Sequence, residues 1–466
     1  MGGPNKSGHD GVLVVTMADD PTTEGGLNAP FRHPIDWRSD AYYDLGLVEA
    51  EMDRVFDICH TCRRCFNLCD SFPILFDLVD ESPTGEVDGV AKADYAKVAD
   101  ACTLCDMCFM SKCPYVPPHP FDIDFPHLIL RHRAAKRRKD GGDFMRDQLA
   151  ETDRNGKLVA PVAGVVNWAT AKRNKPVRKV MEAVAGIAAE ADLPRFHAKT
   201  AESLYRTPPA ANPNGVAYGK AKAAVYATCF VDYNTPSTAV AAMAVLAHLG
   251  VEAAIDYPGC CGMPKFEGGD LKAVAHQAET VAAHFAPVIA EGREVVALTA
   301  SCALMLKFEW PLLLPENEAV KRLALATRDI GEYVVALTKA HGAPANIQPI
   351  PGGITLHHAC HARAQAMGVK SAEMLKLIPE TKVDVIERCS GHGGTFGVMK
   401  ATRPHALKVG RPTARQVREK GNETLCSDCP LACEHLGQLV TAELADGATL
   451  RQAHPIEIFA QALGLS

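Results

Sequence analysis

Two stretches of the chain decide its fold, EAAIDYPGCCGMP at residues 252–264 and KVDVIERCSGHGG at residues 382–394. Each opens with a short apolar run rich in β-branched or small residues. Each then turns abruptly into cysteine and glycine. Runs of this length bounded by Gly and Pro read as buried strands ending in a loop. The same arrangement recurs on either side. Ala223–Thr228 precedes Cys229, and Glu294–Thr299 precedes Cys302; Ile354–His358 precedes Cys360, and Lys382–Glu387 precedes Cys389. Cys229, Cys260-Cys261 and Cys302 are spaced by 31 and 41 positions, and Cys360, Cys389 and Cys426 by 29 and 37. The second set lies 124–131 positions after the first. Longer amphipathic runs, Thr235–Leu249, Leu271–Ala290 and His361–Leu377, alternate with the strands and are expected to be helices. The pattern predicts two related α/β domains with mostly parallel sheets. Their cysteines should gather at the carboxyl ends of the strands, where open α/β sheets place their sites.

Outward from these repeats, the 466 residues divide into five expected segments. Residues 1–40, rich in Gly, Pro, Asp and Asn without periodicity, read as a mobile tail. Residues 41–150 carry two dense cysteine runs in helix-and-loop sequence. Residues 151–220 are cysteine-free and helical in pattern, a connector ending in a Pro/Asn/Gly-rich linker. The two repeats occupy 221–345 and 346–466. The expected class is α+β multidomain, a helical domain followed by two α/β cysteine-rich domains. Apolar residues make up 47% and charged residues 22%, which excludes a disordered chain or a coiled coil. The net charge of −6 and 6% aromatic residues give nucleic acid no footing as a partner. The N-terminus lacks the cationic start and cleavage pattern of an export signal, so a reducing cytoplasm is expected. There, 17 cysteines mean metal or redox chemistry rather than disulfides.

The cysteine runs of the helical domain are CHTCRRCFNLCD at 59–70 and CTLCDMCFMSKCP at 102–114. Three thiolates on one tight loop can cap three irons of a cubane, while the fourth, a turn further on, points to the neighbouring cluster. The expected ligands of one [4Fe–4S] cluster are therefore Cys59, Cys62, Cys65 and Cys113. Those of the other are Cys102, Cys105, Cys108 and Cys69. Paired C-x2-C also binds zinc, but two such steps in a row, C-x2-C-x2-C, with a following Cys-Pro are the iron–sulfur pattern. Two features depart from it. Asp70 replaces the proline after Cys69, and four residues rather than three precede Cys113.

The string Cys229, Cys260-Cys261-Gly262, Cys302, with Cys360, Cys389-Ser390-Gly391 and Cys426-x2-Cys429 in the second copy, resembles the CCG cysteine-rich domain of heterodisulfide reductase. The layout of two ferredoxin motifs and two CCG domains is similar to the C subunit of anaerobic glycerol-3-phosphate dehydrogenase and to the glycolate oxidase iron–sulfur subunit. The strings CDMCFMSKCPYVPPHP and ERCSGHGGTFG resemble heterodisulfide-reductase-related proteins that accompany rubrerythrin. The resemblance implies a five-thiolate noncubane cluster in each copy. Met305 stands where a second thiolate of the first copy would be, and Ser390 replaces one in the second. The candidate metal ligands are Cys229, Cys260, Cys261 and Cys302, and then Cys360, Cys389, Cys426 and Cys429, with Cys433 as a spare fifth. One or two further iron–sulfur centres are expected there; a cubane or structural zinc is the alternative at each.

His392, in a Gly-rich loop, is the candidate catalytic residue, able to donate a hydrogen bond or a proton near a metal. Basic runs at 131–139 and 172–179 offer contact with anionic lipid or an acidic partner, or are solvated helix faces. No dinucleotide or phosphate-loop fingerprint is present, so flavin or nicotinamide is not expected on this chain. The function expected is an iron–sulfur electron-transfer subunit of an oxidoreductase. Its partner would be a flavin dehydrogenase or a rubrerythrin-like protein, with quinone as a further acceptor. It would be cytoplasmic, with peripheral contact at the inner face of the membrane. The alternatives are a thiol–disulfide reductase and a scaffold with structural zinc.

Overall fold

The apolar runs become two four-stranded parallel sheets. The computed structural model describes residues 30–442 and 450–465. In the first sheet, β1 (Lys222–Tyr226), β2 (Glu252–Asp256), β3 (Glu294–Ala297) and β4 (Thr327–Asp329) lie in the order β2-β1-β3-β4. In the second, β5 (Ile354–His357), β6 (Val383–Ile386), β7 (Thr424–Ser427) and β8 (Arg451–Ala453) lie in the order β6-β5-β7-β8. The topologies are identical and every strand pair is parallel. Helices cover the sheets, which is why the inner strands read as continuous apolar runs instead of alternating. The class is α+β multidomain, as expected.

Several expectations need correction. His361–Leu377 is not one helix. It breaks into Cys360–Arg363 and Lys370–Leu375, because Ala366 (φ 51°) and Gly368 (φ 75°) turn left-handed between them. Cys426 does not follow a strand; it lies inside β7. Of the stretch expected to be a mobile tail, residues 1–29 fall outside the described residues. Residues 30–40 pack against the body: Ile35 is buried and its N–H donates to the Leu312 carbonyl at 2.8 Å.

The parts are joined by shared apolar surface. One cluster of buried side chains runs from Val225 and Val334 of the first copy to Leu356 and Phe459 of the second. Another links the helical domain, through Val48, Phe56 and Phe125, to Phe285 and Trp310 of the first copy. Burial of this kind, at roughly 25 cal/mol per Å² of apolar surface, holds the cysteine loops of all three parts in register.

Buried charge fixes the remaining joints. Arg32 donates to Asp106 at 2.6 Å, Asp124 at 2.9 Å and Glu309 at 3.1 Å. Its guanidinium lies over the Phe109 ring at 4.4 Å. It thereby ties the N-terminal segment to the second cysteine loop and to the first copy. Asp70 likewise has a role that the usual proline could not fill. Its buried carboxylate accepts from Lys408 Nζ at 2.6 Å and pairs with His405, both on the second-copy helix Arg403–Lys420.

Arg32→Ala is expected to lower stability by about 3–5 kcal/mol, the cost of leaving Asp106 buried without its cation, while Glu309 keeps His127. The urea midpoint of the full chain reads it; a midpoint matching the unaltered chain would contradict the role given to Arg32.

Candidate metal centres

The helix Leu45–Cys62 carries Cys59 and Cys62 on its last turn. Arg63, left-handed at φ 53°, ends it, and the guanidinium grips Asp80 on the next helix. In the second run Leu104 (φ 47°) and Asp106 (φ 65°) are also left-handed. Non-glycine residues persist there only where the surroundings impose it, which is common at ligand sites. The extra residue before Cys113 is taken up by a widened turn, in which the Lys112 and Cys113 N–H groups both donate to the Cys108 carbonyl, at 3.3 and 2.8 Å.

The thiols of the two runs sort by proximity into crossed groups. The neighbours whose charge reaches Cys59 are Cys113, Cys65 and Cys62. Cys69 instead feels Cys102 and Cys105. Cys108 feels Cys105 and Cys102 first, then Cys65 and Cys69. The groups touch through Cys65 and Cys105. Burial, added to by neighbouring thiols, holds Cys59, Cys69 and Cys108 well above the usual thiol range. Burial also pushes Cys65 up to about 12.

In the first cysteine-rich copy, Cys229 Sγ and Cys260 Sγ are 3.6 Å apart. Cys261 lies beside both Cys260 and Cys302, whose thiols, with burial, hold it well above the usual thiol range. Gly262, at φ 80°, turns its N–H onto Cys260 Sγ at 3.3 Å, and Gly391, at φ 78°, does the same to Cys389 Sγ at 3.3 Å. The two loops are therefore equivalent, with Ser390 in the place of Cys261. Gly391 cannot be replaced without collision: a Cβ there would lie 2.1 Å from the Ala406 carbonyl oxygen.

Not all expected ligands converge. Cys426 faces the apolar core shared by the copies. Cys433 sits in a different core cluster and directs its thiol to the Leu425 and Ala453 carbonyls at 3.6 and 3.8 Å. Both are corrected from metal ligands to core residues, because alternation along β7 turns Cys426 away from the strand end. Cys360 lies beside Cys389 and beside Cys105 of the helical domain, all three lining one cavity.

A cavity of about 170 Å³ lies between the copies. Cys229, Cys260, Cys302, Cys360, Cys389 and Cys429 all line it. It adjoins a larger, apolar cavity of about 340 Å³ walled by Met181, Ile187, Phe196 and Val398. His392 lines both. Among the described residues its buried Nε2 has no partner, nor does that of His435, whose ring centroid is 6.2 Å away. Burial, with His435 and His361 beside it, lowers His392 to about 3, so it stands neutral at pH 7. His357 is structural: its ring nitrogens bond Ser427 Oγ and the Arg388 carbonyl at 2.9 and 3.0 Å.

Sequence reasoning missed the connector's contribution. Thr152 Oγ1 donates to Cys260 Sγ at 3.3 Å, and Asp153 accepts the Cys260 N–H at 2.8 Å. Single polar residues in a helical pattern carry no periodic signal that would have found them.

Every group of convergent side chains here is thiol-rich and buried, a donor set suited to iron–sulfur clusters. Among the described residues, no three His, Cys, Asp or Glu side chains close in as they would around a single metal ion. Also among the described residues, no helix is long and apolar enough to cross a membrane.

Comparison with known proteins agrees with this layout. The cysteine-rich domain model, CCG, matches residues 223–307 and 354–435. The chain is 28% identical over 351 residues to the C subunit of anaerobic glycerol-3-phosphate dehydrogenase from Escherichia coli K12, covering 74% of this chain and 83% of that protein. It is 31% identical over 195 residues to lactate utilization protein A of Geobacillus sp. WCH70, covering 39% of this chain and 76% of that protein. Lactate utilization protein A 1 of Bacillus mycoides is 26% identical over 251 residues, or 51% and 93% of the two chains.

Cys62→Ser is expected to alter the electron paramagnetic resonance signal of one cluster, and Cys69→Ser that of the other, the one also altered by Cys108→Ser. If Cys62→Ser and Cys69→Ser erase the same signal, the crossed grouping is wrong.

Proposed function

The chain belongs to the family of proteins with two CCG cysteine-rich domains that includes lactate utilization protein A and the C subunit of anaerobic glycerol-3-phosphate dehydrogenase, and from that footing we propose that it is an iron–sulfur electron-transfer subunit of an oxidoreductase. The observation that carries this reading is the continuous line of thiol groups. It runs from Cys59, Cys62, Cys65 and Cys113, through Cys69, Cys102, Cys105 and Cys108, to Cys360 and Cys389. It reaches the cavity that the two cysteine-rich copies share. Iron–sulfur clusters supply one-electron chemistry when bound, with potentials tuned by burial and by hydrogen bonds to sulfur. This chain's part is to hold the thiolates, exclude water and point N–H and O–H donors at sulfur. Gly262 and Gly391 do so through the backbone, and Thr152 through its hydroxyl.

The proposed division of labour follows the segments. The helical domain, 41–150, carries two [4Fe–4S] clusters; the connector, 151–220, walls the apolar cavity; the domains at 221–345 and 346–466 form the terminal cavity. A dehydrogenase partner, flavin-bearing in this reading, is supported by the relative that is itself part of a dehydrogenase. The apolar cavity beside His392 supports an exit to an apolar acceptor such as a quinone. Peripheral membrane contact is supported by exposed Val165, Trp168, Val180 and Val184 on the connector helices, beside the basic run Lys172, Arg173, Lys175 and Lys179.

Two outcomes are expected. The anaerobically purified protein, reduced with dithionite, should pass electrons to a short-chain quinone, and Cys389→Ala should slow this at least tenfold with both cubane signals intact. Full transfer in Cys389→Ala would place the exit elsewhere, and a colourless, zinc-loaded preparation would end the electron-transfer reading. The protein should also sediment with vesicles containing anionic lipid, and less so as Val180→Glu; equal recovery with and without vesicles removes the membrane from the reading.

A further inference from the structure

We propose that the first cysteine-rich copy completes its centre with a thiolate from the second copy, Cys429, so that the interface holds one centre and not two. The inference rests on the iron–sulfur reading above. It starts from strand register. Tyr226 pairs with Ala297 in the first sheet, and His357 with Ser427 in the second. Cys229 and Cys360 each follow the first member of that pair by the same distance, as do the helix starts Ala300 and Pro430 after the second. The residue capping each of these latter helices is Thr299 in the first copy and Cys429 in the second. By the same register, Cys302 corresponds to Ala432. The thiolate missing from the first copy is therefore at Thr299, and Met305, which sequence spacing singled out, lies a further turn along. Each copy keeps one member of a C-x2-C pair, and the two keep opposite members.

Thr299 lines the same cavity but brings no thiolate, and its hydroxyl is engaged with that of Thr228 at 3.1 Å. The copies meet where the loss can be made good. The Ala300 N–H donates to the Asp428 carbonyl at 3.4 Å, and Gln365 Nε2 donates to the Ala300 carbonyl at 3.2 Å. These bonds bring the two helix starts together. Cys302 and Cys433 both lie within electrostatic reach of Cys429, but only Cys302 lines the cavity with it. The first copy thus gathers Cys229, Cys260, Cys261 and Cys302, with Cys429 as the fifth.

The thiols left in the second copy have a different neighbour. Cys360 lies beside Cys389 and Cys105, all three lining the cavity, and Cys389 lies within electrostatic reach of Cys69. With Ser390 and Ala432 in ligand positions, and Cys426 and Cys433 in the core, this pair stands against the second ferredoxin group and forms no separate set.

The test is iron and sulfide analysis of the full chain, purified anaerobically, with paramagnetic resonance of its oxidised and reduced states. The expected content is about twelve irons, four for each of three centres. Cys429→Ser should remove about four irons and the same signal that Cys261→Ser removes, leaving the two cubane signals. Thr299→Cys added to Cys429→Ser should restore the signal by returning a thiolate to the first copy, which separates a lost ligand from a misfolded chain. Cys360→Ser should shift one cubane signal without loss of iron. A Cys429→Ser protein that keeps the signal lost in Cys261→Ser overturns the proposal, as does a fourth signal abolished by Cys360→Ser. Absence of iron from the unaltered chain would instead overturn the iron–sulfur reading itself.

Discussion

A thiol buried from water does not ionise readily, yet only the thiolate ligates a metal. That constraint governs this molecule. Burial first, and neighbouring thiols second, keep Cys59, Cys69 and Cys108 protonated in the bare protein. Neighbouring thiols do the same for Cys229, Cys261 and Cys360, reinforced by burial. A metal cation reverses the balance, so loading releases protons and couples cluster binding to folding. The fold answers the constraint by bringing cysteine loops from three parts of the chain to a common junction and supporting them with N–H donors. Arg32, Asp70 and the two shared apolar clusters are the struts of that junction.

Duplication explains the shape of the terminal site. Two copies with the same strand order face each other across one cavity, so a ligand lost from one copy can be supplied by the other. The connector, which neither copy contains, adds Thr152 and Asp153 beneath Cys260. The result is a single lined space that opens toward an apolar one, with neutral imidazoles between them.

Much of this was legible in the residues, and the limits have physical causes. The double CCG pattern was legible because its cysteines recur at similar spacing in both copies, and the family model matches both; the ferredoxin runs stood out by their tight C-x2-C-x2-C spacing. Register across strands leaves no such mark. Cys426 fell among the expected ligands because counting along the chain cannot show that alternation turns it from the strand end. Thr299 went unnoticed for the same reason. β4 and β8 are three residues long, too short for any periodicity. The helix expected over His361–Leu377 failed at Ala366 and Gly368: an alanine gives no warning of a turn, and a single glycine inside a helical pattern is tolerated too often to mark one. Arg32 belongs to a stretch whose composition suggested a tail, and only its buried carboxylate partners reveal its role.

The most direct measurement of the central claim is anomalous diffraction at the iron edge from crystals grown without oxygen. The account predicts iron density at three places: among Cys59, Cys62, Cys65 and Cys113; among Cys69, Cys102, Cys105 and Cys108; and at the cavity beside Cys260, Cys261 and Cys302. Density joining Cys69 to Cys59, Cys62 and Cys65, or a signal at the zinc edge in place of iron, would contradict it.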